Sequence, residues 1–262
     1  MAELLFWPAL FAYGEAAVAY AGNARRPGAL GRAATWGVRA GWLAQTALLA
    51  LEAVRAGGFP WATWAGSLNL FVWLVVTVYL AWGCRPRYRL LGLAVMPPAV
   101  ALLIVSYAAG GIGRERAADA STLFLGLHVG LVLAAFAGFT LAAGLAGLYL
   151  WQERRLKRRE ARIFRLAAPS LVWLDELAAR MVAVALPVFT AGIGVGIGRL
   201  LARDERLDAL MAAAAVTWLA YAGVLLVRYG LGWRGRRVAW LVLASFLLVA
   251  TVRLGLPVGH FA

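Results

Sequence analysis

An all-α, polytopic membrane protein of about eight transmembrane helices is the fold class that this sequence predicts, on three observations. The chain of 262 residues is 63% apolar and only 15% charged, with a mean hydropathy of +0.78, whereas a soluble domain is roughly half apolar and about a quarter charged. Its apolar residues fall in runs of about 20, the length that carries a helix across about 30 Å of hydrocarbon with every peptide group bonded internally. Its basic residues collect in alternate loops between those runs. A net charge of +14 would suggest nucleic acid if the cations shared one solvated face. They punctuate apolar runs instead, so membrane lipid is an expected partner and nucleic acid is not.

Eight windows reach spanning length, at about 3–21, 36–54, 65–84, 90–109, 122–151, 182–202, 209–228 and 238–258. The first ends in Ala19-Tyr20-Ala21, which resembles a signal-peptidase site, but Glu3 stands where a signal peptide carries positive charge, so a retained helix is expected. The second window is the least apolar. The fifth exceeds what a bilayer requires and should tilt or project from one face. Residues 22–41, 85–89, 152–181 and 228–237 hold nineteen of the twenty-six Lys and Arg. Basic loops stay cytoplasmic, so both termini are expected outside. Some of the basic excess can also attract anionic lipid.

Between the fifth and sixth windows, QERRLKRREAR leads into IFRLAAPSLVWLDELAARM, in which Leu171, Leu174 and Leu177 recur opposite Asp175, Glu176 and Arg180. That pattern predicts an amphipathic interfacial helix, either a structural elbow or a docking surface. GIGVGIG at 192–198 looks like a phosphate-binding loop, but it follows no strand and lacks the downstream acid. Close helix packing through small residues is the better reading. No fixed-period repeat or long linker divides the chain, so one integral-membrane domain over 1–262 is expected.

Polar groups inside spans are costly and become functional candidates. Here they are Glu15, Arg39, Gln45, Glu52, His128, Arg199 and Arg253. No Ser-His-Asp arrangement, paired-carboxylate site or helical zinc motif appears, so hydrolysis has no support and a non-hydrolytic role is the most that an enzyme reading allows. The only two histidines are the informative pair. His128 lies six residues inside the outer end of the fifth window, about 9 Å down at 1.5 Å per residue, and His260 follows the eighth. Both fall on the outer side, on different helices. Neutral imidazole is a strong axial ligand of haem iron, and two could clamp a porphyrin between helices. The alternative is that each bonds a backbone carbonyl. Arg199, Arg203 and Arg114, expected on the same face, are candidate partners for haem propionates, or are merely solvated. The single cysteine, Cys84, excludes attachment through a cysteine pair, so any haem held by these imidazoles would be non-covalent haem b. Of the twelve tryptophans, Trp36, Trp82, Trp151 and Trp233 read as inner-interface anchors, and Trp61 and Trp64 as outer ones. GGFPWATW at 57–64 is the candidate stacking segment.

The order of motifs resembles the cytochrome c assembly protein family, which contains CcsA-like and CcmC-like haem-handling proteins and shorter HemX-like and YpjD-like proteins. The resemblance rests on LHVGLVLAAFAGFTLAAGLAGLYLWQERRLKRR at 127–159, LVWLDELAARMVAVALPVFTAGIGVGIG at 171–198, VTWLAYAGVLLVRYGLGWRGRRVAWLVLASF at 216–246 and GGFPWATWAGSLNLFVW at 57–73. In the haem-handling members, two external histidines flank a tryptophan-rich segment and ligate haem, and His128 and His260 match those positions. Two intramembrane histidines of the CcsA-like group fall at Gln45 and Leu226, neither a haem ligand. Only Asp208 and Trp218 match the tryptophan-rich segment, which looks more like the HemX-like branch.

The resemblance implies a multi-pass protein of a bacterial-type inner (plasma) membrane that binds or delivers haem at its outer face through His128 and His260. Its partners would be another cytochrome c assembly subunit or a haem-synthesis enzyme. The alternative is a HemX-like regulatory or scaffolding protein that binds no haem and acts through partner contacts, with the basic stretch 152–181 as a docking surface.

Overall fold

The computed structural model describes residues 2–25, 28–56, 63–82, 89–110, 122–159, 169–203 and 209–255. Over the described residues, every expected span falls on a helix: α1 Ala2–Arg25, α2 Ala29–Ala56, α3 Trp64–Trp82, α4 Arg89–Ala108, α5 Thr122–Lys157, α6 Leu171–Arg203, α7 Ala209–Leu225 and α8 Arg236–Gly255. No strand occurs among the described residues. The protein is an all-α, multi-pass membrane helix bundle. Over their described residues, six helices are long and apolar enough to cross a membrane. Outside that six are α2, which carries Arg32, Arg39, Glu52 and Arg55, and α8, whose side chains are described only to Thr251.

Three helices run well past their expected bounds, α2 by beginning at Ala29, seven residues before its window. α5 runs for 36 residues, about 54 Å at 1.5 Å per residue, and ends with Arg154, Arg155 and Lys157 in its last turn, where cations oppose the negative end of the helix dipole. From Leu171 on, the amphipathic stretch before the sixth span is no separate helix. It is the first part of α6, which is continuous for 33 residues from Leu171. Its patterning survives, since Leu174, Leu177, Ala178 and Met181 are buried while Val172, Glu176 and Arg180 are exposed. Helical spacing, and not a break, accounts for the alternation.

The chain forms two compact units. In the first, residues 1–126 with 161–169, α1 packs along α2 and against α4, and α3 packs on α4 and α2. Ala9, Tyr13, Ala16 and Tyr20 form the buried stripe of α1, at the spacing that keeps residues on one helical face. Glycines let the large rings in. A Cβ at Gly41 would lie 2.6 Å from the Tyr13 ring, and one at Gly92 would overlap Tyr20. Buried hydroxyls then find partners, with Tyr79 donating to the Tyr20 hydroxyl at 2.9 Å and Ser106 to the Ala65 carbonyl at 2.7 Å. In low dielectric an unpaired donor or acceptor would be expensive.

In the second unit, residues 127–160 with 170–262, α7 packs against α6 and α8. Phe136, Phe139, Phe189 and Tyr221 make an aromatic core, with Phe139 and Tyr221 stacked at 3.7 Å between centroids. α7 leaves α-geometry at its end and widens into a π-turn, Leu226–Gly230, closed by Leu231 N–H donating to the Leu226 carbonyl at 3.2 Å. That turn buries Arg228, whose Nη1 meets Asp175 Oδ2 at 2.6 Å, with both side chains under 10% exposed. The other Asp175 oxygen accepts the Gly235 N–H at 3.0 Å, and Arg228 also donates to the Trp233 carbonyl at 3.3 Å. Gly235 has φ +71°, and a Cβ there would lie 2.8 Å from the Tyr149 hydroxyl. Only glycine suits that place. Asp175, expected on a polar face, is therefore an internal acceptor, and Arg228 is neutralised by it.

Candidate functional site

His128 sits at the seventh residue of α5, half-buried and facing α6. What it meets there is the small-residue run. A Cβ at Gly196 would lie 2.8 Å from His128 Cε1, and a Cβ at Gly192 would lie 3.0 Å from Val132 Cγ2. Deeper along the same seam, a Cβ at Gly138 would lie 2.8 Å from that of Ala185. Gly192 and Gly196 are four apart and so share a helical face, while Gly194 and Gly198 meet nothing within 4 Å. The GIGVGIG run is thus a packing device, as expected, and its face is what admits the imidazole.

The ring is held by one hydrogen bond. His128 Nδ1 lies 2.7 Å from the Gly192 carbonyl oxygen. A carbonyl only accepts, so Nδ1 carries the proton in this bond, and in the neutral ring Nε2 holds the lone pair. Among the described residues, nothing bonds Nε2. Metal-ligating histidines are commonly oriented in this way, with one ring N–H given to a carbonyl and the other nitrogen turned to the metal. The two readings of an isolated histidine, a carbonyl bond and an axial ligand, use different nitrogens and are compatible on this ring.

The remaining expected site residues divide as follows. His260 and Arg114 lie outside the described residues, as do Asp208 and the 57–62 part of the candidate stacking segment. Arg199 and Arg203 belong to the last turns of α6, three and seven residues beyond Gly196, and their side chains also lie outside the described residues. Trp218 of α7 donates its indole N–H to Thr190 Oγ1 of α6 at 2.9 Å, and Trp64 is exposed at the start of α3. The Gly192 carbonyl had no sequence signal as a partner. Gly196 had one, the four-residue spacing of small residues.

Gln45 and Leu226 have environments that explain what stands there. In the first unit Gln45 is fully buried, its Oε1 accepting from the Tyr13 hydroxyl at 2.8 Å and its Nε2 donating to Asn69 Oδ1 at 2.8 Å and to the Asn69 carbonyl at 3.0 Å. Its amide is fully engaged. In the second unit Leu226 opens the π-turn and is exposed.

Comparison with known proteins agrees with this architecture. The model of the family described as Cytochrome C assembly protein matches residues 61–258. Protein HemX of Brevibacillus brevis is 28% identical over 79% of this chain and 78% of its own length. The cytochrome c biogenesis protein CcsA of Microcystis aeruginosa is 25% identical over 84% of this chain and 82% of its own. CcsA of Guillardia theta is 24% identical over 80% and 77%.

Proposed function

Since the chain belongs to the cytochrome c assembly protein family, we propose that it binds haem b non-covalently at the outer face of a bacterial-type inner membrane and delivers it for cytochrome c assembly. The observation that carries this is the His128 ring, whose Nδ1 lies 2.7 Å from the Gly192 carbonyl oxygen while nothing among the described residues bonds Nε2. His128 and His260 are the proposed axial ligands, and Arg114, Arg199 and Arg203 the proposed partners of the propionates. When bound, haem supplies an iron that takes two imidazoles and two carboxylates that suit guanidinium forks. The chain's own part is to orient. The Gly192 carbonyl holds the Nδ1 side of the His128 ring and so fixes its orientation, and the bare Gly196 backbone leaves room for the ring. Another cytochrome c assembly subunit is the proposed recipient.

A second reading has its own support. The HemX of Brevibacillus brevis is similar over most of both chains, and the Gln45 amide is spent on Tyr13 and Asn69. Under this reading the protein is a scaffold that regulates a haem-synthesis enzyme and binds no haem. A visible spectrum of the detergent-purified protein decides between them. Sharp reduced bands, weakened or shifted by His128→Ala and by His260→Ala, are expected for bis-histidine haem. Unchanged spectra in the double variant would remove both residues from the site, and absence of haem after reconstitution would favour the scaffold.

A further inference from the structure

From the groove on the first unit we infer a binding site for an anionic phospholipid, seated between the basic end of α2 and the facing part of α3. The groove has a volume of about 470 Å³ and is lined by Trp36, Arg39, Trp42 and Leu43 of α2 and by Thr77 and Leu80 of α3, a size within the range of about 300–1,000 Å³ for small-molecule sites.

Its chemistry is that of an amphiphile with a negative head. The polar groups of its floor are already paired, because the Trp42 indole donates to Thr77 Oγ1 at 2.8 Å and the Thr77 hydroxyl donates to the Trp73 carbonyl at 2.7 Å. Trp42 is further fixed by stacking on Trp73 at 5.8 Å. The surface therefore offers apolar contact along most of its length. Arg39 is the exception. It is exposed, no carboxylate among the described residues pairs with it, and its guanidinium lies over the Trp36 ring at 5.1 Å. Side chains of a helix lean toward its N-terminus, so Arg39 reaches back one turn to the depth of an interfacial tryptophan, as a snorkelling cation does.

Register extends the pattern. Arg32, Trp36, Arg39 and Leu43 are spaced four, three and four apart and are all exposed, so they form one stripe of α2 in which two arginines flank Trp36 toward the N-terminal end and Leu43 lies below them. A phosphate near Arg39, with Arg32 beyond it, and an acyl chain laid over Leu43 and Leu80 would match the stripe in both charge and polarity. The positive-inside expectation assigns that end of α2 to the cytoplasmic leaflet, which carries anionic lipid.

The test is native mass spectrometry of the full chain in non-ionic detergent, offered equal amounts of dioleoyl phosphatidylglycerol and dioleoyl phosphatidylcholine. A single adduct enriched about fivefold in phosphatidylglycerol is expected, the ratio that corresponds to the roughly 1 kcal/mol of one arginine near an anionic surface. Arg39→Gln should bring the ratio to near one, Arg39→Lys should keep most of it, and Arg55→Gln, at the other end of the same helix, should leave it unchanged. Leu80→Trp, which fills the groove, should remove the adduct of either lipid. Equal binding of the two lipids by the wild-type chain, or equal losses in Arg39→Gln and Arg55→Gln, would overturn the assignment. So would stoichiometric displacement of the lipid by haemin in a manner dependent on Arg39, which would make the occupant a porphyrin carboxylate.

Discussion

Replacing Arg228 by Ala should destabilise the second unit more than any exposed charge could. The change removes the 2.6 Å partner of Asp175 and leaves a carboxylate under 10% exposed with the Gly235 N–H as its remaining partner among the described residues. Breaking one side of a buried pair costs about 3–5 kcal/mol, because the surviving charge stays desolvated. For a chain of this size, 1 kcal/mol shifts a melting midpoint by about 2–4 °C, so the expected drop is about 6–20 °C. Tryptophan fluorescence during heating in detergent would follow it, since Trp233, whose carbonyl Arg228 also holds, lies in the affected loop. Asp175→Leu with Arg228→Met should recover most of the loss, as neither charge is then left alone. Lys157→Ala provides the contrast, because its 2.7 Å pair with Glu153 leaves Lys157 62% exposed, and such pairs contribute about 0–1 kcal/mol. A midpoint for Arg228→Ala within 2 °C of wild type, or a double variant no better than the single one, would refute the view of a desolvated lock.

Further predictions follow from the histidine and from the spans. Gly196→Val should drive the imidazole off the Gly192 carbonyl, since even a Cβ would lie 2.8 Å from the ring, and should shift the haem spectrum or reduce haem retention about tenfold, in the range of lost outer-shell partners; retention equal to wild type would show that the ring's seat is irrelevant. At most one haem per chain is expected by pyridine haemochrome assay, because Gln45 is fully engaged and Leu226 offers iron nothing, and a native ratio near two would contradict this. Reporter fusions after Arg159 and Arg237 should read cytoplasmic and one at Ala262 external; an internal C-terminus would put His260 on the wrong side.

Hydropathy made the helices legible, because a lipid-facing residue and a core residue of a membrane helix are both apolar and the whole span stands out from its loops. For the same reason it said little about which apolar residue faces what. Helix bounds slipped where amphipathic and fully apolar segments join in one rod, as Leu171–Arg203 does. Asp175 departs furthest from its local pattern. Its spacing against Leu171, Leu174 and Leu177 marks it as polar-faced, but a partner 53 positions away decides where a carboxylate goes, and no local pattern carries that information. Arg228 looked like one more loop cation for the same reason. His128 was legible as a candidate because histidine is scarce in this chain and costly within spans. The carbonyl that orients it belongs to backbone, which has no sequence signature.

The continuity of α6 has a mechanical meaning. One rod is gripped at two heights, near its start by the turn that follows α7, through Asp175, and near its end by α5, through Gly192. The grips are seventeen residues apart, about 26 Å along the axis. A cylinder clamped by two different neighbours cannot roll, since a rotation that satisfied one clamp would strip the other. Pro187, between the clamps, lacks the N–H that would stiffen its turn, so what motion α6 retains is bending there and not torsion. The azimuth of the imidazole is thereby referenced to a salt bridge at the far end of the helix.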